Sequence, residues 1–217
     1  EEEPRVSRRK QRRSRRAAAE YEEEDDEDEE PPRPVKKKKK EKSARKQRRA
    51  AAAMEEDIPV MSAETIGMAQ KGGSVFSFLR LGEGISCPMF APKSADILIA
   101  FEPAEAVRML GYLKDGGKAV VNTHAIMPVT AALKGTNYTG EEMLDYLKTK
   151  VEDILLIDGN KACEEIGSPK VLNMIMLGAA LKKGVLPFNV DKIEQTMRNT
   201  VKPQFHELNS KALRYGD

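Results

Sequence analysis

The stretch from Gly67 to Gly82 joins a glycine turn to a strand in which apolar and polar side chains alternate. The predicted strand has two faces: Val75, Ser77, Leu79 and Leu81 on one, and Phe76, Phe78 and Arg80 on the other. Gly72 and Gly73 allow backbone conformations that a Cβ would forbid, so the loop can present amide N–H groups beside Lys71 to an anion. From spacing alone, a plain tight turn is the favoured interpretation.

The next segment has the pattern of a strand, a helix and a second strand. Ala95–Phe101 is almost continuously apolar, which is typical of a strand covered on both faces. Pro103 follows in the first turn of a helix, and Lys114–Gly117 end it. The helical spacing is carried by Ala106, Leu110 and Leu113. Lys118–His124 forms the second strand, so a right-handed parallel crossover is expected.

The remaining chain predicts one more strand and several helices. They are a helix over Glu141–Lys148 with Thr139 as N-cap, a strand over Val151–Ile157, a helix over Asn160–Ile166 closed by Gly167, and helices over Asp191–Val201 and Gln204–Tyr215. Together these elements predict an α/β fold: a mostly parallel open sheet of about four or five strands with helices on both faces.

The helix over Pro169–Lys182 is apolar nearly all round. Such a helix must be buried, so it runs through the centre of the domain or meets another subunit. Asn173 is its only central polar residue, and a buried amide needs hydrogen-bond partners. We therefore expect Asn173 and Met174 to be buried or to lie in an interface.

The near-neutral charge of the whole chain conceals a highly charged amino-terminal arm. Residues 1–57 hold 19 Lys and Arg and 17 Asp and Glu, arranged in basic and acidic blocks. Blocks of this kind cannot bury enough apolar surface to offset the entropy of ordering. The sequence predicts a disordered arm over residues 1–57 and a folded domain over residues 58–217.

The arm also suggests a possible interaction role. Its basic run KKKKKEKSARKQRR could attach to phosphates by releasing counterions. The acidic block at Glu20–Glu30 can instead pair with the basic blocks, and no aromatic residues interleave the run to stack on bases. These features argue against specific nucleic-acid binding.

The two cysteines, Cys87 and Cys163, are far apart and form no CxxC pair. This argues against a disulfide framework, a zinc site and an iron–sulfur cluster held by this chain alone. Small buried side chains in a reducing compartment are the favoured interpretation. No run of about 18 apolar residues exists and the amino end lacks an apolar signal core, so we expect a cytoplasmic protein without a membrane span.

A polar cluster lies at the end of the strand predicted over Lys118–His124. Asn122, Thr123 and His124 fall at the carboxyl edge of the predicted sheet, where open α/β folds usually bind ligands. No Ser, Cys or carboxylate partner of His124 is defined by spacing, so no catalytic dyad can be named. A hydrogen-bonded loop histidine is the favoured interpretation. We assign neither a catalytic residue nor a metal ligand to this chain.

The run ETIGMAQKGGSVFSFLRLG at Glu64–Gly82 resembles the signature of the gamma domain of the 2-oxoacid:ferredoxin oxidoreductases. Within that family, the run resembles the form of this signature found in the beta subunit of indolepyruvate:ferredoxin oxidoreductase. The resemblance continues in order over residues 58–217, through SADILIAFEP, GGKAVVNTH and ACEEIGSPKVLNMIMLGA.

The resemblance implies an accessory subunit. A catalytic alpha subunit would carry the thiamine diphosphate, magnesium and iron–sulfur clusters, and this chain alone would bind none of them. The complex would decarboxylate an aryl pyruvate, reduce ferredoxin and form an acyl-CoA from coenzyme A. The loop Gln70, Lys71, Gly72, Gly73 and Ser74 would then lie near the substrate or coenzyme A.

One departure from the family lies at the junction with the arm. No GxGGxG-like motif precedes Ile58, so the first β-α unit of the family is missing. Its absence argues against a free-standing dinucleotide site. The alternative function is a non-enzymatic interaction module whose charged arm binds nucleic acid or acidic partners.

Overall fold

Residues 51–65, 74–127 and 138–216 are described by the computed structural model. All of them fall within one compact unit. The predicted arm up to residue 50 lies outside the described residues. So do the loop residues Gln70, Lys71, Gly72 and Gly73.

The described residues form five strands in two sheets. The strands are β1 (Val60–Glu64), β2 (Ser77–Leu81), β3 (Ala95–Ala100), β4 (Leu113–Asn122) and β5 (Asp153–Ile157). β3, β4 and β5 form a parallel sheet with β4 in the centre, whereas β1 and β2 form a separate antiparallel pair. β2, the strand predicted after the glycine turn, is therefore not part of the parallel sheet. Its partner β1 was missed because VMSAE has no clear alternation.

Seven α-helices are formed by the same residues. They are α1 (Ala51–Glu55), α2 (Pro103–Met109), α3 (Glu141–Lys150), α4 (Gly159–Ile166), α5 (Leu172–Lys182), α6 (Val190–Thr200) and α7 (His206–Leu213). Single 3-10 turns occupy Leu110–Tyr112, Pro169–Val171 and Pro203–Phe205. Of these helices, none has the length and apolar character needed to cross a bilayer.

The core lies on both faces of the parallel sheet. Successive residues of β4 face opposite sides. Ala119 and Val121 pack with residues of α2 and α3, whereas Val120 packs with Met176 and Ala180 of α5. The predicted fold class, a parallel sheet with helices on both faces, is confirmed.

The prediction for the crossover helix was wrong at its carboxyl end. The α-helix ends at Met109, and Leu113 begins β4, where it pairs with Ala95. Lys114–Gly117 lie inside this strand and form the irregularity before Lys118 pairs with Ile97. Gly116 has φ +73°, a conformation that glycine adopts at no steric cost. β4 also ends at Asn122, two residues before the predicted end.

The predicted N-cap of α3 was also wrong. The cap is Gly140 rather than Thr139, with φ 80° and no side-chain hydrogen bond. A Cβ at Gly140 would lie 2.9 Å from Cβ of Ala125 and 3.3 Å from Cγ of Pro103. The positive φ, together with the close approach of Ala125 and of the first residue of α2, therefore favours glycine here.

Helix α5 is buried over most of its length, as its composition predicts. Ile175, Met176 and the residues from Gly178 to Leu181 are buried. Asn173 is exposed and Met174 only half-buried, so the first turn of α5 remains accessible. At the other end of the chain, Ala52 and Ala53 of α1 are buried, although they fall in the last residues that the sequence assigned to the arm.

Candidate functional site at the carboxyl edge of the sheet

One buried amide connects the loops that follow all three parallel strands. Asn122 is 2% exposed, and its Nδ2 donates to the carbonyl of Phe101 after β3 at 3.1 Å. Its Oδ1 accepts from the N–H of Gly159 at 3.0 Å and from that of His124 at 3.3 Å. Because Gly159 begins α4 directly after β5, these three bonds hold the carboxyl edge together.

The partner of His124 is an amide on α4. Nδ1 of His124 lies 2.9 Å from Nδ2 of Asn160. Since the amide nitrogen donates, Nδ1 accepts, and the proton of the neutral ring sits on Nε2. Nε2–H is then available to donate to a ligand oxygen. Thr123 is half-buried, and its backbone N–H donates to the carbonyl of Ile157 at 2.8 Å.

These groups open onto a shallow polar cavity of about 550 Å³. Thr123, His124, Tyr138, Asp158, Asn160 and Lys161 are among the residues that line it. Asp158 caps α4 by accepting from the N–H of Lys161 at 3.0 Å. Charged side chains of both signs and neutral hydrogen-bonding groups are present, and the described residues that line the cavity include no Ser or Cys. The arrangement can bind a polar group.

A second polar cluster lies at the end of β3. Glu102 is 8% exposed and caps α2, with Oε2 accepting from the N–H of Glu105 at 2.9 Å. Its Oε1 accepts from the hydroxyl of Tyr138 at 2.5 Å. Burial, together with the hydrogen bond and charge of Glu102, raises the pKa of Tyr138 above its ordinary value. Tyr138 therefore donates to Glu102 and also lines the polar cavity beside His124.

Ser74 ties the predicted glycine loop to this cluster. Its hydroxyl donates to Oε2 of Glu105, and Arg108 donates to the other carboxylate oxygen at 2.7 Å. The residue that ends the predicted loop is thus held at the start of α2, next to the carboxyl end of β3. Of the predicted loop, Ser74 therefore lies at the same edge of the sheet as Asn122, Thr123 and His124.

Sequence analysis missed several members of this edge: Glu102, Glu105, Tyr138 and Asn160. For two of them, the sequence contains a pattern that could have predicted their position at this edge. A carboxylate directly before a proline at a helix start can cap the helix, which points to Glu102. Asn160 follows β5, so the rule that predicted the loop after β4 applies to it as well. Asn173 and Met174 lie elsewhere, on α5.

The described residues do not bring metal or cluster ligands together. Among the described residues, no group of three or more His, Cys, Asp and Glu could hold a metal ion. Cys163 is buried, and burial raises the pKa of its thiol. Cys87 is exposed, so its predicted burial was wrong. Two cysteines cannot supply the four thiolates that iron–sulfur clusters commonly require.

The fold is an α/β domain with a parallel sheet, and known proteins resemble it in sequence. Residues 46–216 match the pyruvate ferredoxin/flavodoxin oxidoreductase family. The chain is 32% identical over 164 residues to the indolepyruvate oxidoreductase subunit IorB of Archaeoglobus fulgidus, covering 75% of this chain and 81% of that protein. It is 26% identical over 154 residues to the pyruvate/ketoisovalerate oxidoreductases common subunit gamma of Thermococcus litoralis, covering 68% and 74%.

Solved structures share the fold. The gamma subunit of a keto/oxoacid ferredoxin oxidoreductase from Geobacter sulfurreducens aligns with a TM-score of 0.52 at 20% identity, over 77% of this chain and 83% of that one. The pyruvate oxidoreductase subunit PORC from Thermotoga maritima aligns with a TM-score of 0.50 at 22% identity, over 80% and 85%. The chain belongs to the pyruvate ferredoxin/flavodoxin oxidoreductase family, and its resemblance to the gamma domain is confirmed.

Proposed function

We propose that this chain is an accessory subunit of a thiamine-dependent 2-oxoacid:ferredoxin oxidoreductase, and that the complex acts on indolepyruvate. The observation that carries the proposal is the 32% identity to IorB over 81% of that protein. The hydrogen-bonding character of the carboxyl edge agrees with a binding role. Neither the comparisons nor the contacts of the described residues favour the alternative of a nucleic-acid-binding module.

In this proposal, the catalytic alpha subunit holds thiamine diphosphate, magnesium and iron–sulfur clusters, which supply decarboxylation and electron transfer to ferredoxin in the cytoplasm. This chain contributes surfaces rather than reacting groups. Its carboxyl edge would face the partner, with Nε2–H of His124 and the hydroxyl of Thr123 available as donors.

The complex itself tests the function. We expect the full chain to form a stoichiometric complex with the catalytic alpha subunit, and the complex to reduce ferredoxin with indolepyruvate at a higher kcat/KM than with pyruvate. The chain alone should reduce none, because in this proposal the thiamine diphosphate and the iron–sulfur clusters are held by the alpha subunit. Ferredoxin reduction by this chain alone, or a failure to bind the alpha subunit, would contradict the proposed role. A preference for pyruvate would reject only the substrate.

We also propose that the loop Gln70–Ser74 lies near coenzyme A. The support is the cationic Lys71 beside two glycines, together with the position of Ser74 at the carboxyl edge. Lys71→Ala in the assembled complex should raise the KM for coenzyme A about tenfold, since a charge-assisted contact to phosphate is lost. Lys148→Ala, which removes an exposed lysine from α3, is the control and should leave this KM unchanged. An unchanged KM in Lys71→Ala would leave the loop a structural turn.

A further inference from the structure

The short helix α1 docks on the three helices at the carboxyl end of the chain. Ala52 and Ala53 of α1 are 7% and 1% exposed. Ala52 packs in one cluster with Leu181 of α5, Ile193 of α6 and Leu213 of α7. Alanine side chains bury little apolar area, so this contact alone contributes modestly to docking. A helix of five residues is not stable by itself and therefore needs further contacts to stay in place.

A carboxylate at the end of α1 provides polar contacts with α6. Oε2 of Glu55 accepts from the hydroxyl of Thr196 at 2.6 Å, and Nζ of Lys192 lies 3.4 Å from the same oxygen. Oε1 accepts a longer hydrogen bond from Asn199, at 3.4 Å. Thr196 is 5% exposed, and a hydrogen bond to an ionised acceptor is about twice as strong as one between neutral groups. Since these three partners all lie on α6, Glu55 joins α1 to that helix.

The groups around Glu55 favour its ionised form. Lys192 is the cation that faces it, and Glu56 shares this lysine at 2.6 Å. Thr196 and Asn199 are its neutral donors on α6, while from α5 and α7 the helix meets the apolar side chains of the cluster described above. The hydrogen bond from Thr196, with the bonds from Asn199 and Lys192, outweighs burial and holds the pKa of Glu55 below its ordinary value.

The turn that ends α1 is built from local hydrogen bonds. The N–H groups of Glu56 and Ile58 both donate to the carbonyl of Ala53, at 3.2 and 2.8 Å, and Asp57 between them has a left-handed φ of 53°. These bonds involve neither β1, which begins at Val60, nor the parallel sheet. The segment can therefore leave α6 without breaking the hydrogen bonds of either sheet.

We infer that α1 is a clasp on α6, which is closed while Glu55 carries its charge and opens when that charge is lost. Opening uncovers the apolar site formed by Leu181, Ile193 and Leu213. The pKa of the docked carboxylate is lowered, so its contribution to docking is fully present above the ordinary glutamate pKa of about 4.3. This contribution is lost as the pH falls through the lower pKa of the docked form. The inference concerns the contact between α1 and α6 and does not rest on the proposed function.

Amide hydrogen exchange of the full chain tests the clasp. The N–H groups of Glu56 and Ile58 report on α1, and that of Val120, in the buried centre of β4, reports on opening of the whole domain. Glu55→Gln should accelerate exchange of the α1 reporters at pH 7 at least about tenfold and leave Val120 unchanged, because glutamine keeps the shape but not the charge. Glu207→Gln removes an exposed, ion-paired carboxylate from α7, and this matched control should change neither.

A second variant and a pH series separate the charge from the residue. Thr196→Val keeps the side-chain shape but removes the donor to Glu55, so it should accelerate the same reporters. In the wild type, the protection of the α1 reporters relative to Val120 should fall at least about tenfold between pH 6 and pH 3, whereas in Glu55→Gln it should stay constant.

Three results would overturn the clasp. One is equal protection of the α1 reporters in the wild type and Glu55→Gln at pH 7, and another is exchange of these reporters only together with Val120 in every variant. The third is an equal fall of relative protection with pH in the wild type and Glu55→Gln, which would show that the charge of Glu55 does not control the contact.

Discussion

Gly178→Ala should lower the free energy of unfolding by about 3 kcal/mol, because α5 and α7 touch at this glycine with no space for a methyl group. A Cβ at Gly178 would lie 2.0 Å from the carbonyl oxygen of Leu213 and 2.9 Å from its carbonyl carbon. These are backbone atoms of a residue that is itself fully buried, so relief requires a shift of the whole end of α7. Urea unfolding followed by circular dichroism measures the change.

Gly111→Ala is the matched control for this prediction. A Cβ at Gly111 would meet nothing within 4 Å, and its φ is not positive. The alanine should therefore leave the stability within about 0.5 kcal/mol or raise it slightly by restricting the unfolded chain. If both variants unfold at the same urea concentration, the close contact between α5 and α7 does not exist.

Asn122→Leu should cost a comparable amount, about 3 kcal/mol, because a single buried side chain serves three backbone groups. Leucine has a similar size but leaves the carbonyl of Phe101 and the N–H groups of Gly159 and His124 without this partner. Buried groups that lose a hydrogen bond bear the full desolvation cost. The expected results are a lower urea midpoint and faster hydrogen exchange at the N–H of Gly159.

Asn199→Leu is the control for the carboxyl edge. Asn199 is exposed on α6 and makes one long hydrogen bond, 3.4 Å to Glu55. Its replacement should change stability by no more than about 0.5 kcal/mol. Wild-type stability of Asn122→Leu would show that the edge is held by something other than this amide, and the carboxyl edge would lose its role as a rigid binding surface.

Sequence patterns correctly predicted the elements whose structure depends mainly on neighbouring residues. The apolar run of β3 and the closing glycine of α4 are set within a few residues, and Gly167 has the expected left-handed φ of 89°. The burial of α5 follows from a helix that lacks a polar face. Candidate ligand-binding residues after β4 followed from the parallel order of the strands alone.

The other features of the fold depend on contacts between segments that are distant in the chain. The beginning of β4 at Leu113 depends on its pairing with Ala95, which outweighs a helical spacing that fits equally well. Gly140 caps α3 in place of Thr139 with a positive φ, at a place where Ala125 and Pro103 leave no space for a Cβ. Such effects require the packed chain, so composition and periodicity cannot show them.

The same division holds for the candidate site. The sequence determined that Asn122, Thr123 and His124 lie at the end of a buried parallel strand, because alternation and order of elements are local properties. Only the tertiary structure decided that Asn160 holds His124 and that Tyr138 binds Glu102. Each of these pairs is 36 residues apart along the chain, and the partners meet because the parallel strands bring their carboxyl ends to one edge of the sheet.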